Sequence, residues 1–205
     1  MQLLFMALKD SKYETPIKLA TVLGLRRGEV LGLQNSDYDS VSHCLRIKRQ
    51  VSIVKDNTLS KFDDQVFGVK ELKTECSKRT LYISSDIEKL IERQITYNQL
   101  QKDKLGNDYH DNGFICCKDN GDFINPQTLY HAFKNILKKN NLPNIRFHDL
   151  RHSYATMLID FNIPLKVISQ TLGHSYTAIT DQVYADSIRA KQNVSQIVSL
   201  NIKCS

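Results

Sequence analysis

His148 and Arg151 stand three residues apart near the start of the stretch FHDLRHSYATMLIDFNIPLKVISQTLGHSYTAITDQVY, which runs from Phe147 to Tyr184. Residues three apart share one face of a helix, so an imidazole and a guanidinium would point the same way. His174 follows Gly173 in the same stretch, and Tyr184 lies ten residues beyond His174. A guanidinium is a fixed fork of donors suited to carboxylate or phosphate oxygens. An imidazole can take or give a proton near neutral pH. A phenol can serve as a nucleophile when a base or a cationic pocket assists it. The set suits acid–base and nucleophilic chemistry on an anionic group, provided the fold brings its members together.

Four readings of this stretch compete. In the first, the histidines and the tyrosine complete a helical core and do no chemistry. In the second, His148 and His152, four apart, hold a metal on one helix face. Against it, the glutamate of an H-E-x-x-H motif is absent and Arg151 would stand as a cation beside the metal. The third is a helix-turn-helix, with Leu165 to Leu172 as the first helix, a turn at Gly173, and Thr177 to Tyr184 as the second. Ala178, Ile179, Asp181 and Val183 give that second helix few side chains for reading bases. The fourth is catalysis on a phosphodiester, using residues from the whole chain.

The elements that must position these residues read as mostly helical. Leu150, Tyr154, Met157, Leu158 and Phe161 mark the apolar face of one helix, and Pro164 opens a second with Leu165, Val167, Ile168 and Leu172. Gly173 suits a helix end. Near the start of the chain, MQLLFMALKDSKY reads as a helix entering the domain. Pro16 to Leu33 is a helical run with a break at Gly24, followed by Arg26, Arg27 and Glu29. Two solvated arginines at a helix start are the plain reading; arginine there opposes the helix dipole, and a positioned anionic partner would help explain it. From Cys44 to Ile83, short alternating apolar runs predict a small antiparallel sheet, with Lys70 to Arg79 (KELKTECSKR) as a basic hairpin loop. Ser85 to Leu105 predicts a long amphipathic helix capped by Ser85 or Asp86, with Ile87, Leu90, Ile91, Ile95 and Leu100 inside. Further helices are expected over Pro126 to Asn141 and Asp186 to Leu200.

Composition sets the outer limits. The chain has 205 residues, 41% hydrophobic and 24% charged, and no repeat or linker divides it. That fits one soluble domain with a substantial core. The net charge of +6 mildly favours a polyanionic partner. Five cysteines without a CxxC argue against a disulfide framework or a zinc site and for reduced thiols inside a cell. No apolar run reaches membrane-spanning length, and the first residues do not form a signal peptide.

Five separated elements, in order, resemble the catalytic domain of the tyrosine recombinases, the phage-integrase family. They are GLRRGEVLGL with Arg26, LKTECSKRT with Lys73, HDLRH with His148 and Arg151, LGHS with His174, and Tyr184 beyond it. The texture is that of integrases from phages and conjugative transposons of Gram-positive bacteria. The chain departs from it at Asn35, where many relatives carry Trp, and at Asp186, where many carry His. The resemblance implies an α+β fold, mostly helical, with a small three-stranded antiparallel sheet, spanning residues 1–205 and lacking the family's N-terminal core-binding domain. It implies a site made of Arg26, Lys73, His148, Arg151, His174 and Tyr184, with Tyr184 as nucleophile and no metal or other cofactor. The implied partners are double-stranded DNA attachment sites and further protomers, with residues 186–205 as a docking segment and no membrane. The implied activity is metal-independent DNA cleavage and rejoining through a 3′-phosphotyrosine, in the cytoplasm, for integration or excision of a mobile element. A type IB topoisomerase would use the same residue types. A DNA-binding regulator on the same fold would lack the covalent step.

Overall fold

A computed structural model of the chain describes residues 2–54, 66–74 and 77–173. Helices α1 (Gln2–Leu8), α2 (Glu14–Leu23) and α3 (Arg27–Leu31) come first. Five strands follow: β1 (Tyr38–Asp39), β2 (Cys44–Ile47), β3 (Arg49–Ile53), β4 (Phe67–Glu71) and β5 (Arg79–Tyr82). Helices α4 (Ser85–Leu105), α5 (Pro126–Lys139), α6 (Asp149–Asp160) and α7 (Leu165–Leu172) complete the described part. This is the mostly helical α+β fold that the sequence predicts.

The sheet region is an antiparallel ribbon of two consecutive ladders. One limb, β2 and β3, is interrupted only at Lys48; the other is β4 and β5. Ile47 pairs with Arg79 while Arg49 pairs with Glu71. The Leu72 N–H still donates to the Lys48 carbonyl at 2.9 Å, so the chain leaves the ladder after Leu72 and rejoins it at Arg79. The expected hairpin loop over Lys70 to Arg79 is thus corrected: Lys70 lies within β4 and Arg79 opens β5, and those two strands pair with β3 and β2 rather than with each other. Short strand β1 adds to β2, giving a three-stranded sheet of order β1-β2-β5 and a two-stranded one of β3-β4. The alternation of apolar residues predicted the strands. It carries no information about which residues loop out of a ladder.

The principal core is formed by Leu8, Ile17, Leu19, Leu31, Leu45, Ile47, Ile91, Ile115, Leu129 and Phe133, all fully or almost fully buried, with their neighbours. A second cluster joins α6 to α7 through Ala155, Ile159, Ile168 and Leu172. Helix α4 spans the predicted residues, but Ser84 occupies its cap position, without a side-chain hydrogen bond to the helix. Leu100, expected inside, is exposed, and Asn98 is buried instead. The Asn98 amide donates to the carbonyls of Phe114 and Ile115, at 3.1 and 2.9 Å, which compensates its burial. Helix α6 buries much of the predicted face: Leu150 is buried, and Tyr154 and Leu158 pack against the second cluster. Its buried residues are Leu150, Arg151, Ala155 and Ile159, and Phe161 is exposed. The face is wider than the apolar pattern indicates, because a buried arginine also sits on it. Helix α5 starts with Asn125, whose Oδ1 accepts from the Gln127 backbone N–H at 2.8 Å.

Helix α3 lies close against β3, and two glycines allow it. A Cβ at Gly28 would stand 2.5 Å from the Val51 carbonyl oxygen, and one at Gly32 would stand 2.9 Å from the Gln50 Cα. Backbone cannot yield as a side-chain tip can. Gly28→Ala should therefore push α3 off the ribbon, at about 1–3 kcal/mol. Thermal unfolding followed by circular dichroism should show a Tm lower by about 2–10 °C. An unchanged Tm would show that the approach does not constrain the fold.

Candidate active site

The site is organised by Glu29, which is fully buried in α3. The loop before α3 brings Arg26 to its N-cap position, in an extended conformation. From there the Arg26 backbone N–H donates to Glu29 Oε2 at 2.9 Å, and its Nη1 donates to Oε1 at 2.7 Å. This is one half of a capping box: the N3 carboxylate accepts from the N-cap backbone N–H, while the guanidinium, which has no acceptor, donates to that carboxylate instead of receiving the N3 N–H. Part of the anion that the arginine-rich helix start called for comes from within the chain.

Two more arginines close on the same carboxylate from distant elements. Arg79, at the head of β5, donates Nη2 to Oε2 at 2.9 Å and Nη1 to Oε1 at 3.2 Å. Arg151, on the buried face of α6, has its Nη1 3.9 Å from Oε2, beyond hydrogen-bonding reach. Its Nη1 donates instead to the Gly24 carbonyl at 2.7 Å, and its Nη2 to that of Leu172. The end of α7 is held by all three arginines. Arg79 Nε donates to the Thr171 carbonyl at 2.6 Å, Arg151 to that of Leu172, and Arg26 Nη2 to that of Gly173 at 3.4 Å. These carbonyls lack helical partners and carry the negative end of the helix dipole, so cations suit them. Gly173 ends α7 in the left-handed conformation, at φ 67°.

Three guanidinium groups thus share one carboxylate, which leaves a surplus of two positive charges. Burial alone would raise the Glu29 pKa. The Arg79 fork, with the backbone N–H and charge of Arg26, outweighs that and holds the carboxyl down at about 2. Burial, and then the charge of Arg26, pushes the Arg151 guanidinium down to about 9, with Glu29 offsetting part of the effect. Arg151 remains charged at neutral pH and is short of counter-charge. The Arg26 side chain is 35% exposed, while those of Arg79 and Arg151 are 6% and 3% exposed. Arg26 is therefore the open face of the cluster.

His148 precedes α6 and is exposed. Partial burial of the ring, then His152, Arg151, Arg26 and Arg146, hold its pKa below the usual imidazole range, so it is neutral at neutral pH. His148 and His152 meet edge to face, with ring centroids 4.7 Å apart. Among the described residues they have no third His, Cys, Asp or Glu with which to form a metal-binding group.

Lys73 is exposed on the excursion between β4 and β5. Beyond it, the Thr74 and Ser77 hydroxyls are 2.7 Å apart, and the Ser77 carbonyl accepts from Arg79 Nη1 at 3.1 Å. Of the residues expected from the sequence, Arg26 and Arg151 are brought together, with His148 beside them and Lys73 on the loop anchored to the same cluster. His174, Tyr184, Tyr176 and the second helix of the helix-turn-helix reading lie outside the described residues. Glu29 and Arg79 were not predicted. Glu29 could have been suspected from its capping-box distance to Arg26. Nothing in the sequence singles out Arg79.

Residues 3–191 match the phage integrase family, and the chain belongs to that family. It is 34% identical over 203 residues to a tyrosine recombinase XerC-like protein of Caldanaerobacter subterraneus subsp. tengcongensis, a match covering 95% of this chain and 50% of that protein. It is 30% identical over 181 residues to the ICEBs1 integrase of Bacillus subtilis, covering 88% of this chain and 46% of that one. The chain thus spans about half the length of these curated relatives. The integrase of transposon Tn1549, solved in complex with transposon right end DNA, superposes with a TM-score of 0.70 at 22% identity, covering 94% of this chain and 62% of that one. XerA recombinase superposes with a TM-score of 0.65 at 18% identity, covering 95% of this chain and 60% of that one. The fold is shared with both.

Glu29 makes a prediction about stability. Removing the anion that these three buried or half-buried arginines share is strongly destabilising, so Glu29→Gln should cost about 3–5 kcal/mol at neutral pH. Folding lowers this carboxyl from 4.5 to about 2. Its contribution is therefore complete above pH 4.5 and is lost as pH falls towards 2. Urea unfolding of both proteins at about pH 7 and about pH 3.5 should show the gap between them narrowing in acid. A gap of equal size at both values would contradict an ionised, arginine-paired Glu29.

Proposed function

We propose that this chain cleaves and rejoins DNA strands at specific sites through a covalent 3′-phosphotyrosine, for integration or excision of a mobile element. The observation that supports this most is the buried cluster of three arginines on one carboxylate, with its surplus of positive charge opening at Arg26. Such a site suits a phosphodiester, whose non-bridging oxygens stay negative while a nucleophile attacks. Among the described residues, Arg26 and Arg151 keep N–H donors not committed to carbonyls or to Glu29, and they neutralise those oxygens. Stabilising developing charge in this way is often the largest catalytic effect. It is done here by side chains that the fold already holds in place.

Tyr184 attacks phosphorus and forms a phosphotyrosine, while the bond to the 5′-oxygen breaks. His148, neutral at neutral pH, accepts the phenol proton directly or hydrogen-bonds the phosphate. Lys73 delivers a proton to the leaving 5′-oxygen, and His174 adds a donor to the phosphate. The new ester keeps the energy of the broken bond, so a second 5′-hydroxyl can attack it without ATP. Double-stranded DNA and further protomers are the partners, with residues 186–205 docking on a neighbour. The setting is the cytoplasm; among the described residues no helix is long and apolar enough to cross a membrane.

The test is covalent trapping on nicked duplexes taken from the junctions of the DNA element that encodes the chain. The unsubstituted chain and Tyr176→Phe should both give an adduct that survives denaturation. Tyr184→Phe, which removes only the phenol oxygen, should give none. An adduct that persists in Tyr184→Phe would overturn the assignment of the nucleophile.

A further inference from the structure

Glu29 has two oxygens and about four lone-pair positions for hydrogen bonds. All four are taken: two by the Arg79 fork, one by the Arg26 backbone N–H and one by Arg26 Nη1. Arg151 is left outside, at 3.9 Å from Oε2, close enough for Coulomb attraction but without a hydrogen bond. Without Arg79, two acceptor positions on a buried carboxylate would open beside a buried guanidinium short of counter-charge. A buried anion with unfilled positions attracts the nearest donor strongly, and that donor is Arg151.

We propose that Arg79 is a positioning residue: it saturates Glu29 and so keeps Arg151, together with Arg26, available to a bound oxyanion. Its other bonds extend the role. Nη1 also donates to the Ser77 carbonyl, and Nε donates to the Thr171 carbonyl. One side chain thereby ties the loop that carries Lys73, the carboxylate under Arg26, and the last turn of α7, which leads to His174. Lysine could replace the charge but not the fork, because an ammonium is a single point of donors. The inference rests on Arg26 and Arg151 being the phosphate donors.

The experiment uses inorganic orthovanadate as an oxyanion probe, so that it does not depend on DNA cleavage. Affinity is measured by calorimetry for the unsubstituted chain, Arg79→Lys, Arg79→Gln and the double variant Glu29→Gln/Arg79→Gln. Circular dichroism gives the folded fraction of each, and values are taken per folded molecule. The unsubstituted chain should bind vanadate, and Arg26→Ala should abolish that binding. Arg79→Gln should weaken it about tenfold or more, the equivalent of a lost charge-assisted hydrogen bond. Arg79→Lys should be intermediate. The double variant should recover most of the loss, because the carboxylate that captures Arg151 has been neutralised. Removing Glu29 and Arg79 together leaves the cluster's surplus of two positive charges unchanged, so the double variant keeps the test open if Arg79→Gln folds poorly.

A purely structural Arg79 gives a different pattern: lower folded fractions, normal affinity per folded molecule, and no recovery in the double variant. That pattern would overturn the proposal, as would an unsubstituted chain that does not bind vanadate. On nicked duplex, single-turnover cleavage by Arg79→Gln should slow by about 10²-fold, the scale of a small misplacement of catalytic groups. If vanadate binding behaves as expected but no adduct forms with any protein, the cleavage reading fails and the role of Arg79 stands.

Discussion

One buried carboxylate holding three guanidinium groups is the constraint on which the rest of this structure depends. Glu29 can be ionised at zero exposure only because its partners fill its hydrogen-bonding positions. The arginines, in turn, can be buried only because the carboxylate is there. Neither side could be assembled stepwise without the cost of an isolated buried charge. The cluster therefore links α3, β5 and α6 as one unit, although their contributing residues lie 50 and 72 positions apart in sequence.

The same arginines receive the end of α7. Successive carbonyls at Thr171, Leu172 and Gly173 each accept from a different one of them. A helix C-terminus is a natural counter-charge for cations, yet it brings no full negative charge into the cluster. The arrangement fixes the end of α7 against the cluster while the positive surplus survives. The close approach of α3 to β3 at Gly28 and Gly32 packs the helix that carries Glu29 directly on the ribbon. A single change of packing under α3 would therefore be felt at Arg26, Arg79 and Arg151 together.

Much of this was legible in the sequence, but unevenly. Arg26, His148 and Arg151 could be named because residue type and spacing suggest chemistry and family motifs surround them. The helices α4 and α5 were legible from apolar periodicity and end signals to within a few residues. What escaped was tertiary. The spacing put Arg151 on one helix face with His148 but gave no sign of its burial, whereas it is a buried member of the α6 face beside Leu150 and Ala155. Lys73 was placed on a hairpin tip, whereas its loop leaves the side of a continuing ribbon, a matter of register that alternation cannot express. Glu29 and Arg79 have no local signature of their pairing, because it arises only when α3 and the ribbon come together.

The central claim is that the arginine cluster acts on charge at the phosphate. It is tested most directly by comparing Arg26→Ala with the unsubstituted chain on two nicked duplexes that differ in one group. One carries the ordinary scissile phosphodiester, and the other a methylphosphonate at that position, which removes the negative oxygen. Arg26 is the exposed member of the cluster, so the substitution leaves its buried core in place. On the phosphodiester, Arg26→Ala should form the covalent adduct about 10²–10³-fold more slowly, as expected for loss of one charge-stabilising donor. On the methylphosphonate, most of that deficit should disappear. A deficit of the same size on both duplexes would contradict the account, because Arg26 would then be needed for something other than the charge.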